Sequence, residues 1–169
     1  MNLLVDNKVI ISDKKLADQL QQKGYGEREE RKLVLDIKEC LYLLEKSKLE
    51  VVDRKGKKMD DEAVIKAASQ REKDFYTKYL VYRDLRERGY VTKTGYKFGF
   101  DFRVYPRGKK PGEEHTQWVI GVLPQDYRCS MAEFSRMVRL SGNLKTSMLV
   151  AVVDSENDIN YYGINRVTP

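Results

Sequence analysis

Apolar and polar positions along the chain divide it into short, readable runs. Residues 1–12 hold two apolar stretches, LLVD and VIIS, that predict strands joined by a tight turn at Asp6-Asn7. Ser12 or Asp13 suits the cap of a helix over KKLADQLQQKGYG, which Gly24 would terminate. The 3-4-3 spacing of Val34, Ile37, Leu41 and Leu44 predicts a second helix over about 30–46 with one buried face. LEVVD reads as a strand and RKGKK as a basic turn. Asp60 or Asp61 then opens a third helix, DDEAVIKAASQ. Three helices with small strands make an N-terminal α/β domain over residues 1–70.

The pattern beyond residue 70 is different. Residues 71–88 are helical in period and end at Gly89, a suitable C′ residue. YVTKTG and YKFGFDFRVY alternate and are rich in aromatics, which predicts a hairpin turning around Thr94-Gly95. TQWVIGVLP gives a third strand. SMAEFSRMVRLSGNLK follows as a helix with Met131, Phe134, Met137, Val138 and Leu144 facing inward. SMLVAVVD is almost continuously apolar, the pattern of a strand covered on both sides. SEND turns the chain into a last strand, INYYGINRV. The order α-β-β-β-α-β-β over 71–169 predicts a mixed sheet flanked by helices, so the fold class is α/β (α+β).

Composition narrows the partner more than the fold. With 41% apolar and 34% charged residues, the chain can build a core under a heavily charged surface. Thirty-two Lys and Arg against 26 Asp and Glu leave a net charge of +6, which suits a polyanionic partner such as nucleic acid or an acidic membrane surface, or simply a solvated basic surface. Cys40 and Cys129 are far apart in sequence and have no metal-ligand spacing; Cys40 falls in an apolar helical run. A disulfide framework is not expected, and the chain reads as belonging to a reducing, cytoplasmic compartment. No signal-peptide pattern opens the sequence, and no apolar run approaches the roughly 20 residues of a membrane span.

Candidate chemistry centres on the only histidine, His115. It sits in a Gly/Pro/Lys/Glu loop, ten residues after Tyr105, and not in an apolar pattern. A single histidine and two separated cysteines offer no zinc site. Asp101, Glu113 and Glu114 are the carboxylates a Mg²⁺ nuclease could use, but Glu113 and Glu114 are loop residues, and the expectation is no metal and no cofactor. GYKFG and RGKKPG have neither Walker nor dinucleotide spacing. A metal-free RNA cleavage needs a base for the ribose 2′-OH, an acid for the departing 5′-oxygen and a cation for the charged phosphorane. Tyr105, His115 and Lys145 have the right chemistry. Arg103, Arg107, Lys109, Lys110, Arg136 and Arg139 supply cationic surroundings for phosphates. The plain alternative makes Tyr105 an edge aromatic, His115 a loop residue and Lys145 a helix-end cation.

The stretch KYLVYRDLRERGYVTKTGYKFGFDFRVYPRG, then His115, then VRLSGNLKTSMLVAVVDSENDINYY, resembles the archaeal tRNA-splicing endonucleases. The likeness covers nearly all of residues 78–167, and the first 70 residues look like that family's smaller N-terminal domain. The resemblance implies a C-terminal mixed-sheet nuclease domain over 71–169. It implies metal-independent excision of introns from precursor tRNA at bulge-helix-bulge sites, leaving a 2′,3′-cyclic phosphate and a 5′-hydroxyl. By motif, Tyr105 would be the general base, His115 the general acid and Lys145 the transition-state cation. Arg139 matches an arginine that stacks on a bulge base.

The family run resembling S-V-R-K-K is replaced here by GNLKTS. A gapless alignment sets Thr146 where the lysine usually stands. Either the helix end shifts by one residue and Lys145 supplies the cation, or the cation is missing; Lys145 is the assignment taken. The resemblance further implies a tetramer, of identical chains or with a separate structural subunit. Asp126 in LPQDYRCSMAE would dock on an opposing subunit, and INYYGINRV would pair with its twin. A non-catalytic, RNA-binding structural subunit of the same assembly is the competing reading, and the Tyr/His pair argues against it.

Overall fold

Asp6 and Asn7 both take φ of 53°, the left-handed pair that a two-residue hairpin turn requires. β1 (Asn2–Val5) therefore folds back on β2 (Lys8–Ile11), as the apolar runs predict. The computed structural model describes residues 1–94, 99–144 and 146–169. The chain divides into two units, Met1–Tyr79 and Leu80–Pro169.

The first unit builds one six-stranded sheet. β3 (Glu27–Glu29), β4 (Lys32–Asp36), β5 (Val51–Val52) and β6 (Lys58–Met59) join the hairpin in the order β3-β4-β2-β1-β5-β6. Helices α1 (Lys14–Gln22), α2 (Ile37–Glu45) and α3 (Asp61–Arg71) accompany it. Asp13 caps α1 through Leu16 N–H, and Asp60 caps α3 through Ala63 N–H. Val9, Ile11, Leu20, Leu33, Leu35, Cys40, Leu43 and Val51 form the core.

The helix predicted over about 30–46 is a strand followed by a shorter helix. Residues 32–36 alternate exposed and buried, with Leu33 and Leu35 fully covered and Val34 only half-buried. Asp36 ends the strand and starts α2 with a capping box. Glu39 Oε2 accepts from Asp36 N–H at 3.0 Å, and both Glu39 carboxylate oxygens accept from Gly26 N–H at 3.1 Å. Gly26 has φ of +70°, and a Cβ there would come within 2.8 Å of Leu33. One buried carboxylate thus closes both the helix start and the turn before β3. The 3-4-3 spacing is real, but a local cap overrode it.

The second unit carries a five-stranded sheet in the order β11-β10-β9-β8-β7. α4 (Phe75–Glu87), within which the division between units falls, leads into β7 (Thr92–Thr94) and β8 (Phe102–Val104). Gly89 at φ of 92° ends that helix, and Tyr90 N–H returns to Leu85 O at 3.0 Å. The predicted turn at Thr94-Gly95 runs into residues 95–98, which lie outside the described residues. β9 (Trp118–Pro124), α5 (Met131–Asn143), β10 (Ser147–Val153) and β11 (Ile159–Ile164) follow. β9 and β10 are parallel, joined by the α5 crossover, and the other pairings are antiparallel. The sheet is mixed, as the sequence predicts.

α5 lays Phe134, Met137, Val138, Leu140 and Leu144 on Val119, Met148 and Val150. Met131, expected inward, is 76% exposed. It is the first residue of the helix, one turn ahead of the residues that pack on the sheet. On the far edge, Asp84 Oδ2 accepts from Tyr161 O–H at 2.6 Å and from Arg88 Nε at 2.8 Å. The Arg88 guanidinium lies 5.7 Å from the Tyr161 ring centre. Burial, then the Asp84 hydrogen bond, push the Tyr161 phenol well above its ordinary value.

Two stability outcomes follow from these contacts. Glu39→Ala is expected to lower unfolding free energy by about 2–3 kcal/mol, because two backbone donors lose a buried charged acceptor; urea unfolding measures it. Tyr161→Phe is expected to cost about 1 kcal/mol at pH 7. A phenol held protonated by the fold stabilises fully below its ordinary pKa of 10 and loses that contribution as pH rises beyond it. The urea midpoints of wild type and Tyr161→Phe should therefore converge above pH 10.

Candidate active site

Three strand ends meet at one end of the second sheet. β8 runs antiparallel to β9, so the exit of β8 lies beside the entry of β9. β10 runs parallel to β9, with Ser147 opposite Trp118, so their entries also lie side by side. Gln117 N–H donates to Val104 O at 2.8 Å, and Ser147 N–H donates to Gln117 O at 3.4 Å. Tyr105 is the residue after β8, and His115 stands two residues before Gln117. The sheet topology therefore gathers Tyr105 and His115 at the same end. Lys145 lies outside the described residues; its chain neighbour Thr146 is described and joins the same end. The Thr146 hydroxyl donates to Gln117 O at 3.0 Å and to Thr116 O at 3.3 Å.

The two described candidates differ in exposure. Tyr105 is 7% exposed, held by its own N–H to Val91 O at 3.0 Å. His115 is exposed, and its backbone N–H donates to the Glu114 carboxylate at 3.3 Å. Between them the loop makes two successive turns, Lys109 N–H to Pro106 O and Glu113 N–H to Lys110 O, both at 3.0 Å. Gly108 and Gly112, at φ of 74° and 90°, allow that path.

The cations around this end have separate settings. The Arg107 guanidinium lies 4.9 Å from the Tyr90 ring centre, and Tyr90 meets Trp118 edge-on at 5.3 Å. Arg103 is half-buried within β8, in register between Lys93 and Val119. Lys109 is exposed, whereas Lys110 pairs with Glu113 at 3.9 Å. Arg139 and Arg136 are exposed on α5 and line a cleft of about 510 Å³ with Thr146, Ser147, Asn165 and Arg166.

The carboxylates considered as metal ligands are committed elsewhere. Asp101 Oδ2 accepts from Val122 N–H at 2.7 Å, and Asp101 N–H donates to Ile120 O at 2.9 Å. Glu113 closes the turn at Lys110, and Glu114 serves His115 N–H. Among the described residues, no group of three or more His, Cys, Asp and Glu side chains is placed to hold a metal ion. None of the described helices is long and apolar enough to cross a membrane.

Residues 75–161 match the family model described as tRNA intron endonuclease, catalytic C-terminal domain, and residues 2–65 match the model of its N-terminal domain. The chain belongs to the tRNA intron endonuclease family. A protein named tRNA-splicing endonuclease from Thermococcus onnurineus is 41% identical over 90% of this chain and 88% of its own length. One of the same name from Thermococcus kodakarensis is 39% identical over 97% of this chain and 96% of its own. Another, from Methanothermobacter thermautotrophicus, is 36% identical over 98% of this chain and 96% of its own. Both family domains are present, the catalytic one included, and the chain is an enzyme of that family.

Within the family frame, two features escaped the sequence reading. Arg166 joins Arg136 and Arg139 at the cleft from the C-terminal segment, where no periodic pattern marks it. Tyr90 carries Arg107, although it had read only as the start of a strand. Asp126 is exposed in the segment after β9, where Tyr127 N–H returns to Pro124 O at 3.0 Å and Tyr127 O–H donates to Glu133 at 2.9 Å. The role of Asp101 can be checked directly. Asp101→Ala is expected to cost about 1–3 kcal/mol by leaving Val122 N–H unpaired. RNA cleavage by the folded variant, measured well below its Tm, should remain at the wild-type rate with or without Mg²⁺.

Proposed function

We propose that the chain excises introns from precursor tRNA at bulge-helix-bulge sites, without metal, leaving 2′,3′-cyclic phosphate and 5′-hydroxyl ends. Family membership supports the substrate class. The single observation that carries the chemistry is the meeting of the β8 exit with the β9 and β10 entries, which brings Tyr105 to the same end of the sheet as the loop that holds His115. In this reading Tyr105 takes the proton of the ribose 2′-OH, the O2′–P bond forms, and the P–O5′ bond breaks. His115 delivers a proton to the departing 5′-oxygen, a role suited to an imidazole. Lys145 stabilises the charge that builds on the phosphorane oxygens.

Thr146 carries no charge, and its hydroxyl donates into the backbone beside β9; this favours Lys145 as the cation. Arg139 stacks on an unpaired bulge base, while Arg103, Arg107, Lys109 and Lys110 contact phosphates. The catalytic work belongs to the domain over 71–169, preceded by the N-terminal domain over 1–70. The working form is a tetramer, of identical chains or with a structural subunit. Asp126 would dock between subunits, and the edge strand β11 would pair with its twin.

The test is incubation of an intron-containing precursor tRNA with the purified protein in EDTA. Cleavage at both boundaries is expected, with a cyclic phosphate on the upstream fragment. His115→Ala and Tyr105→Phe should each lower the single-turnover rate by about 10²–10⁴-fold, and Lys145→Ala should lower it by about 10²–10³-fold. Cleavage only in Mg²⁺, or full activity in Lys145→Ala, would overturn the mechanism.

A further inference from the structure

Position 146 holds neither a charge nor an apolar packing group, yet its side chain reaches two carbonyls on the neighbouring strand entry. Thr146 Oγ1 lies 3.0 Å from Gln117 O and 3.3 Å from Thr116 O. Gln117 O also accepts from Ser147 N–H at 3.4 Å, and Gln117 N–H donates to Val104 O at 2.8 Å. Thr146 N–H in turn donates to Ser141 O at 3.4 Å, at the end of α5. Ser141 is 4% exposed, and its hydroxyl donates to Val138 O at 2.8 Å. A continuous hydrogen-bonded line therefore runs from α5 through Thr146 to Gln117 and on to the residue before Tyr105.

We infer that Thr146 is a positioning residue: its hydroxyl clamps the α5–β10 junction to the segment just after His115, and so fixes the spacing of the acid and base about the scissile phosphate. The inference rests on the cleavage reading given above. Its physical basis is the small tolerance of catalysis to misplacement. A shift of about 1 Å can cost on the order of 10²-fold in rate, and the ladder here is long: at 3.4 Å, the Ser147–Gln117 bond is near the limit for an N–H donor. The hydroxyl contact is the shorter of the two bonds that Gln117 O receives. It also gives His115, whose backbone N–H donates to the adjacent Glu114 carboxylate at 3.3 Å, a fixed base only two residues away.

Thr146→Val keeps the shape and removes the donor, whereas Thr146→Ser keeps the donor. With intron-containing precursor tRNA in EDTA, Thr146→Val is expected to lower kcat about tenfold while KM stays within about twofold. Thr146→Ser should restore kcat to within about threefold of wild type. All rates are taken well below each variant's Tm, so a stability loss by itself leaves kcat unchanged. Should Thr146→Val lose its folded circular dichroism spectrum, Thr146→Ala replaces it with the same expectation. Equal kcat in wild type and the donorless variant, or a loss that Thr146→Ser does not repair, overturns the positioning role. An inactive wild-type protein in EDTA instead overturns the cleavage reading on which it rests.

Discussion

Seven consecutive pairs, from Ser147 opposite Trp118 to Val153 opposite Pro124, hold β9 and β10 side by side in parallel. A parallel pair cannot close through a tight turn; it needs a crossover, and α5 supplies one. The crossover returns the chain to the same end of the sheet from which β9 began. Because β8 arrives antiparallel on the other side of β9, its exit falls at that end too. The spatial coincidence of Tyr105 with the His115 loop, ten residues apart in sequence, is a consequence of strand direction. A one-residue slip in this register would turn alternate side chains to the opposite face and unseat both Phe102 and Ile120 from the core.

Burial enforces that register. Val119, Ile120, Met148 and Ala151 are almost wholly covered, and α5 closes one face of the sheet with Phe134, Val138 and Leu144. Asp101 adds a polar contact: its carboxylate accepts the Val122 amide within the sheet. The pair Tyr161 and Asp84, joined by Arg88, does similar work for the outer strand.

The strands and helices of the second unit were legible because their apolar runs are long and their breakers are strong. Gly89 ends a helix, SEND makes a turn, and SMLVAVVD has no polar residue between Ser147 and Asp154. The first unit was legible only in part. A helical spacing at Val34, Ile37, Leu41 and Leu44 coexists with a period-two pattern at residues 32–36, and the Asp36–Glu39 capping box decides between them. Nothing in local periodicity announces that decision, since Glu39 also answers to Gly26, thirteen residues away. In the candidate site, the resemblance singles out Tyr105 and His115, and strand direction brings both to one end of the sheet. Motif spacing was silent on Arg166 and on what the Thr146 hydroxyl touches, because both depend on where the chain returns in space.

Trp118 is the chain's only tryptophan. It opens β9 with Tyr90 against its edge and Arg107 over Tyr90 in turn. Indole emission depends on neighbouring charge and on the wetness of its surroundings, so anything that draws Arg107 away from Tyr90 is read out two contacts later. The protein thus carries an unlabelled optical reporter at the end of the sheet where the exit of β8 meets the entries of β9 and β10.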